Sequence, residues 1–163
     1  MGRKWAVNAS PVIILGKLSR LSLLTDLAET LVIPTAVAEE IEQGPEDDPA
    51  RVWLSGPGRD FVKDAGAVQP GIANWDLGTG ENHVLSWALK NPGFEVILDD
   101  LASRKCATVL SIPVRGTLGV LLLAKKEGRV ATLEPLLGEV LRAGLRISTE
   151  VLEAARRLAG EAP

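Results

Sequence analysis

The chain has 163 residues, 46% of them hydrophobic, with 18 basic and 21 acidic side chains for a net charge of −3. This length suits one domain with a sizeable core, the hydrophobic content argues against disorder, and the slightly acidic balance excludes wholesale coating of nucleic acid while leaving room for a local basic rim. The single cysteine, Cys106, and single histidine, His83, exclude an internal disulfide, a cysteine zinc site and a multi-histidine metal centre.

Lys4-Trp5-Ala6-Val7-Asn8 reads as a first strand, and Ser10-Pro11 as the N-cap and first position of a helix. The apolar residues from Val12 to Leu27 predict two short helices joined between Lys17 and Arg20. Leu31-Val32-Ile33 is a second strand, ended by Pro34, and a helix follows from Thr35 to about Gln43, stopped by Gly44-Pro45. Ala50 to Ser55 predicts a short helix, Asp60 to Lys63 a strand, and Pro70-Gly71 a turn. Val84, Leu85, Ala88 and Leu89 recur at helical spacing, which puts Glu81 in the first turn of a helix ending near Asn91.

Val96-Ile97-Leu98 is too short for a helix and reads as a strand buried on both faces; Asp99 and Asp100 follow it, and a helix runs from Leu101 to about Ser111. Cys106, on the apolar side of that helix, is a buried small side chain rather than a nucleophile. Ile112-Pro113-Val114 is a fourth strand whose proline points to an edge. Gly116-Thr117 opens a helix through Lys126. Two amphipathic helices close the chain, one from Leu133 to Ala143 started by Thr132, the other from Thr149 to Leu158 started by Ser148. Short buried strands alternating with helices predict an α/β fold: one domain over 1–163, core about 4–128, C-terminal helices about 132–160, with a mostly parallel sheet of four to five strands and helices on both faces. No apolar run spans a bilayer, because Val120 to Ala124 is cut by Lys125-Lys126, and Asn8 and Ser10-Pro11 interrupt the apolar start that a signal peptide needs. A cytoplasmic protein without a membrane partner is expected.

Four places combine an oxygen-bearing side chain with a strand end or helix start: Asn8, Glu39 or Glu40, Glu81, and Asp99-Asp100. In a parallel sheet these ends converge on one edge. Carboxylates and an amide there suit Mg2+ or Mn2+, which take oxygen ligands and keep several waters, and such ions support phosphodiester hydrolysis without histidine or cysteine. Each residue also has a plain structural reading. Asp100 would cap the helix from Leu101 while Asp99 is solvated, Glu40 would be one solvated acid among Glu39 and Glu42, and Glu81 would answer the helix dipole. Thr117 would be an N-cap, and Asn8 would bond the turn after strand one. Arg104, Lys105 and Arg115 are the candidate phosphate contacts, with Lys125, Lys126 and Arg129 as a second cluster. Trp75, in a loop before Asp76-Leu77-Gly78, is the candidate for base stacking, whereas Trp87 belongs to its helix's apolar face.

The order of these motifs resembles the PIN domain, the ribonuclease fold of many prokaryotic toxins, in its branch of uncharacterised PIN-like proteins. The resemblance rests on Val7-Asn8-Ala9-Ser10-Pro11-Val12-Ile13, Ile33-Pro34-Thr35-Ala36-Val37-Ala38-Glu39-Glu40-Ile41, Leu77-Gly78-Thr79-Gly80-Glu81, Leu98-Asp99-Asp100-Leu101-Ala102-Ser103-Arg104 and Gly116-Thr117-Leu118-Gly119-Val120-Leu121. It implies a Mg2+- or Mn2+-dependent endoribonuclease. Asn8 would stand where most PIN domains carry a first aspartate, Glu40 would be the second acid with Glu39 as the lesser candidate, Glu81 the third, and Asp100, with Asp99, the fourth. Thr117 would touch the metal's water or a phosphate. RNA, a small antitoxin protein and a second copy of the chain would be the partners, with Leu15, Leu18, Leu21 and Leu24 available for the protein contacts. Asn8 brings no charge, which motivates the alternative of a catalytically degenerate nucleic-acid- or protein-binding module. A receiver or phosphatase type enzyme ranks lower, because it places aspartates after the first strand.

Overall fold

Trp5, Ala6 and Val7 have no exposed surface, as a strand covered on both faces requires, and they belong to the strand Lys4–Val7 (β1) at the centre of the sheet. The computed structural model describes residues 2–162. The other strands are Thr30–Pro34 (β2), Val62–Lys63 (β3), Glu95–Ile97 (β4) and Val114–Arg115 (β5), all parallel and ordered β3-β2-β1-β4-β5. The register sets Ala6 opposite Val32 on one side and Val96 on the other. The chain lays β1, β2 and β3 toward one edge and then crosses β1 to build β4 and β5. The carboxyl ends of β1 and β4 therefore form the point at which the winding reverses, where open α/β sheets leave a crevice for ligands. Asn8 follows β1 directly, and Leu98-Asp99 follow β4.

The helices are Ala9–Lys17 (α1), Ser22–Leu27 (α2), Thr35–Glu42 (α3), Pro49–Leu54 (α4), Pro70–Ala73 (α5), Thr79–Lys90 (α6), Leu101–Val109 (α7), Thr117–Lys126 (α8), Glu134–Arg142 (α9) and Thr149–Leu158 (α10). They cover both faces of the sheet: α6 lies on β1, β2 and β4 beside α3, while α8 lies beside β5 with α2 and α10 against it. Among the described residues no helix is long and apolar enough to cross a membrane. The largest side chain in the core, Trp5, donates its indole N–H to Glu95 Oε1 at 2.8 Å, so its polar atom is satisfied although the ring is fully buried; losing such a ring costs about 3–5 kcal/mol.

Several local expectations need correction. Helix α1 starts at Ala9 with Asn8 as its N-cap, so Ser10 and Pro11 lie inside the first turn; proline is tolerated there because those N–H groups have no intrahelical acceptor. Pro70-Gly71 opens the short helix α5 rather than a turn. The fourth predicted strand is displaced to Val114–Arg115, yet Pro113 still takes part through its carbonyl, which accepts Val96 N–H at 2.9 Å. The strand expected at Asp60 begins as a 3-10 turn, Arg59–Phe61, and only Val62–Lys63 pairs with β2. Helix α9 is preceded by Leu133 as N-cap, not Thr132, and its amide groups are capped from far away. Glu161 accepts Leu133 N–H at 2.7 Å and Glu134 N–H at 3.0 Å while pairing with Lys125 at 2.9 Å.

Candidate metal centre at the carboxyl edge

The end of β1 delivers Asn8 into a position only 3% exposed. Its Nδ2 donates to Glu81 Oε1 at 3.2 Å, and its Oδ1 is buried with no hydrogen-bond partner in the protein. An orphaned buried acceptor costs about 1–3 kcal/mol, so an oxygen left bare at a sheet's carboxyl edge is a feature to be explained. Gly80 accounts for the space around it. A Cβ at Gly80 would stand 3.0 Å from Asn8 Oδ1 and 3.4 Å from Glu40 Oε1, so the glycine keeps open the point on which both oxygens converge. Glu81 follows in the first turn of α6, where a negative side chain is favoured by the helix dipole.

Glu40 comes from the last turns of α3, which packs against α6. Its residue surface is largely exposed, but the carboxylate end leans toward Gly80. Burial of that end, and then the charge of Glu81, raise its pKa above the ordinary 4.5. A carboxylate whose charge is penalised by burial and by its neighbour, beside an unpartnered amide oxygen, makes a locus that a divalent cation would relieve.

The two aspartates after β4 have different partners. Asp100 is exposed and caps α7, accepting Ser103 N–H at 2.9 Å and Ser103 Oγ–H at 2.8 Å. Asp99 turns the other way, and the reading that leaves it solvated does not hold. Its Oδ1 accepts Thr117 N–H at 2.7 Å, and its Oδ2 accepts Thr117 Oγ–H at 2.6 Å and Ser10 Oγ–H at 3.1 Å. Thr117, fully buried at the start of α8, thus serves Asp99 instead of capping its own helix. Ser10 is the residue that sequence reasoning missed: read as an N-cap, it instead joins the Asn8 end of α1 to Asp99. The only sequence signal was its position two residues after Asn8.

Asn8, Glu40 and Glu81 are therefore brought together, with Asp99 linked to them through Ser10. Among the described residues no group of three or more His, Cys, Asp and Glu side chains is spaced to hold a metal ion; an ion here would need oxygen from the Asn8 amide and from water beside the carboxylates, a shell that Mg2+ accepts. The donor set is all oxygen and fits that chemistry. Arg104 lies beside this edge; a Cβ at Gly116 would collide with Arg104 Nη1 and stand 3.1 Å from Asp99 Oδ1. Lys105 is exposed on α7. Arg115, expected here, is not brought to the site. Its guanidinium runs back to Glu95 at 3.1 Å and lines a separate cleft with Arg3, Lys125 and Lys126.

The parallel α/β domain thus gathers carboxylates and an amide at the point where its winding reverses. A PIN-domain family model matches residues 4–161 of this chain, and the protein belongs to that family. PIN domains are generally nucleases and typically use divalent metals. No curated protein and no solved structure gave a significant match.

Proposed function

We propose that the protein is a metal-dependent endoribonuclease that hydrolyses RNA phosphodiester bonds with water as the nucleophile. The observation that carries this reading is the convergence of Asn8 Oδ1, Glu40 Oε1 and Glu81 around Gly80. Asn8, Glu40, Glu81 and Asp99 would hold Mg2+ or Mn2+, which when bound orients the phosphate and lowers the pKa of water. Asn8 positions Glu81 through its N–H. A carboxylate of the Glu40–Glu81 pair takes the proton released as water adds to phosphorus, and the displaced ribose oxygen takes one from solvent. Thr117 and Ser10 fix Asp99, while Arg104 and Lys105 offset the charge of the incoming backbone. Asp100 contributes through the α7 cap. The role of toxin in a toxin–antitoxin pair, with a small antitoxin and a second copy as partners in the cytoplasm, draws support from family likeness alone.

A single-stranded RNA incubated with the protein should be cut with Mn2+ and left intact with EDTA, and Glu81→Gln should abolish cutting while keeping the circular dichroism of the fold. Cleavage that persists in Glu81→Gln overturns the assignment. The neutral Asn8 favours one other reading, a binding module without catalysis. Calorimetric titration with Mn2+ separates the two, because a degenerate site gives neither heat nor a shift of Tm.

A further inference from the structure

Trp75 differs from the other tryptophans. Trp5 is sealed in the core, Trp53 stacks on Phe61 with ring centroids 5.9 Å apart, and Trp87 meets Phe94 edge-on at 5.7 Å. Trp75 is half-buried, pairs with no other ring among the described residues, and lines a cleft of about 440 Å³ together with Leu101, Arg104, Lys105, Thr108, Val109 and Val114. Leu101 and Val109, both on α7, are each 67% exposed, so this helix turns apolar side chains to solvent next to two cations. Neither Arg104 nor Lys105 pairs with a carboxylate among the described residues, and Arg104 makes only a long contact, 3.5 Å, to the Leu98 carbonyl. Arg104 also borders Asp99 across Gly116. The same guanidinium therefore belongs to the cleft and to the edge of the candidate metal centre.

A planar ring at the cleft's wall, exposed apolar side chains beside it and two cations without carboxylate partners among the described residues suit a flat, uncharged group joined to an anionic backbone. The geometry points to a nucleobase subsite: the cleft takes an unstacked base of single-stranded nucleic acid beside the scissile phosphate, Trp75 stacks on it, Leu101 and Val109 wall it, and Arg104 and Lys105 hold the adjoining phosphates. Charge favours this occupant over a basic or neutral partner, and continuity with Asp99 through Arg104 favours a substrate over a protein docked elsewhere. The inference rests on the nuclease reading for the place of the scissile bond, though not for binding itself.

The test measures binding in EDTA, where nothing is cut. The probe is a short fluorescein-labelled 2′-O-methyl oligouridylate, compared with the same strand carrying abasic residues. The wild-type protein should bind the abasic strand about ten-fold more weakly, Trp75→Ala should weaken the intact strand about as much and abolish the difference between strands, and Trp75→Phe should restore most of it. Should Trp75→Ala fail to fold, the exposed substitution Val109→Asp and the abasic comparison on the wild-type protein still decide. Equal affinity for both strands, or no binding to either, overturns the subsite. So does unchanged oligonucleotide affinity accompanied by altered self-association in sedimentation, which would assign the apolar wall to a protein partner. Trp75-dependent binding combined with no metal-dependent cleavage would retain the subsite and reject the nuclease reading; cleavage that ignores Trp75 and base content would do the reverse.

Discussion

Asn8 and Glu81, 73 residues apart in sequence, meet at the reversal point of the sheet with the amide N–H donating to the carboxylate at 3.2 Å. The direction of that bond fixes the other end of the amide: Oδ1 faces Gly80 and Glu40 without a partner. Asn8→Asp would replace the donor by a third carboxylate against Glu81 and Glu40. The metal-free variant should lose about 1–3 kcal/mol of stability, while Mn2+ should raise its Tm by more than it raises that of the wild type. Scanning calorimetry with and without Mn2+ reads both effects, and an equal metal response in the two proteins would deny Asn8 a place in the ion's shell.

Glu40 is held above its ordinary pKa by burial and by Glu81, so it destabilises the empty fold when charged. Glu40→Gln should leave the metal-free protein as stable as the wild type or slightly more so, by less than about 1 kcal/mol given the exposure of the stem. The stabilisation by Mn2+ should fall sharply. A variant that is less stable without metal, yet responds to it normally, would show that Glu40 serves the fold alone.

Asp99 and Asp100 are adjacent in sequence but bond to different elements, Asp100 to Ser103 in α7 and Asp99 to Thr117 and Ser10, and two substitutions test the roles proposed for them. Asp100→Ala removes the cap from α7 and should cost about 1 kcal/mol with RNA cleavage largely kept. Asp99→Asn preserves an acceptor for Thr117 N–H and should fold, but cleavage should drop by two orders of magnitude or about that. Urea denaturation and a cleavage assay on both proteins give the comparison; the reversed pattern would move the catalytic carboxylate to Asp100.

The central sheet was legible because its strands are continuous apolar runs: Trp5-Ala6-Val7, Leu31-Val32-Ile33 and Val96-Ile97-Leu98 have no polar face to hide, which is the mark of parallel strands covered on both sides. The strands of two residues, Val62–Lys63 and Val114–Arg115, are too short for a period and were displaced by their prolines and turns. The meeting of Asn8 and Glu81 could be argued from a strand end and a helix start, but Glu40 enters from the last turns of α3, and the different use of Asp99 and Asp100 was not legible at all. It depends on Ser10 and Thr117, which approach from helices α1 and α8 across 89 and 18 residues of sequence. Arg115 illustrates the same limit. Its position at the end of β5 placed it near the edge on paper, whereas the ion pair with Glu95 draws it away.

Gly80 provides a probe that alters no ligand. In the first turn of α6 an alanine is intrinsically favoured over glycine by roughly 0.5–1 kcal/mol, but here the added methyl would press on Asn8 Oδ1 at 3.0 Å and crowd Glu40 Oε1 at 3.4 Å. The two effects should nearly cancel in stability. Gly80→Ala is expected to melt close to the wild type without metal and to show neither a Mn2+-dependent rise in Tm nor cleavage. A full metal response in this variant would place the ion elsewhere.

Glu161 gives the protein a pH dependence remote from the site. The hydrogen bond from Lys125, then those from the Leu133 and Glu134 amides, hold its pKa down to about 2 from the ordinary 4.5. A carboxylate depressed on folding contributes stability that is complete above the unfolded value and is lost as pH falls through the folded one, so the clasp between the chain's end and α9 should weaken between about pH 4.5 and 2. Glu161→Gln removes the titrating group. The stability gap between wild type and variant, measured by urea denaturation, should be constant above about pH 5 and close as the solution is acidified, with faster hydrogen exchange at the Leu133 and Glu134 amides in the variant at neutral pH. A gap that stays the same down to pH 3 would mean that the carboxylate's charge contributes nothing to docking of the C-terminal segment.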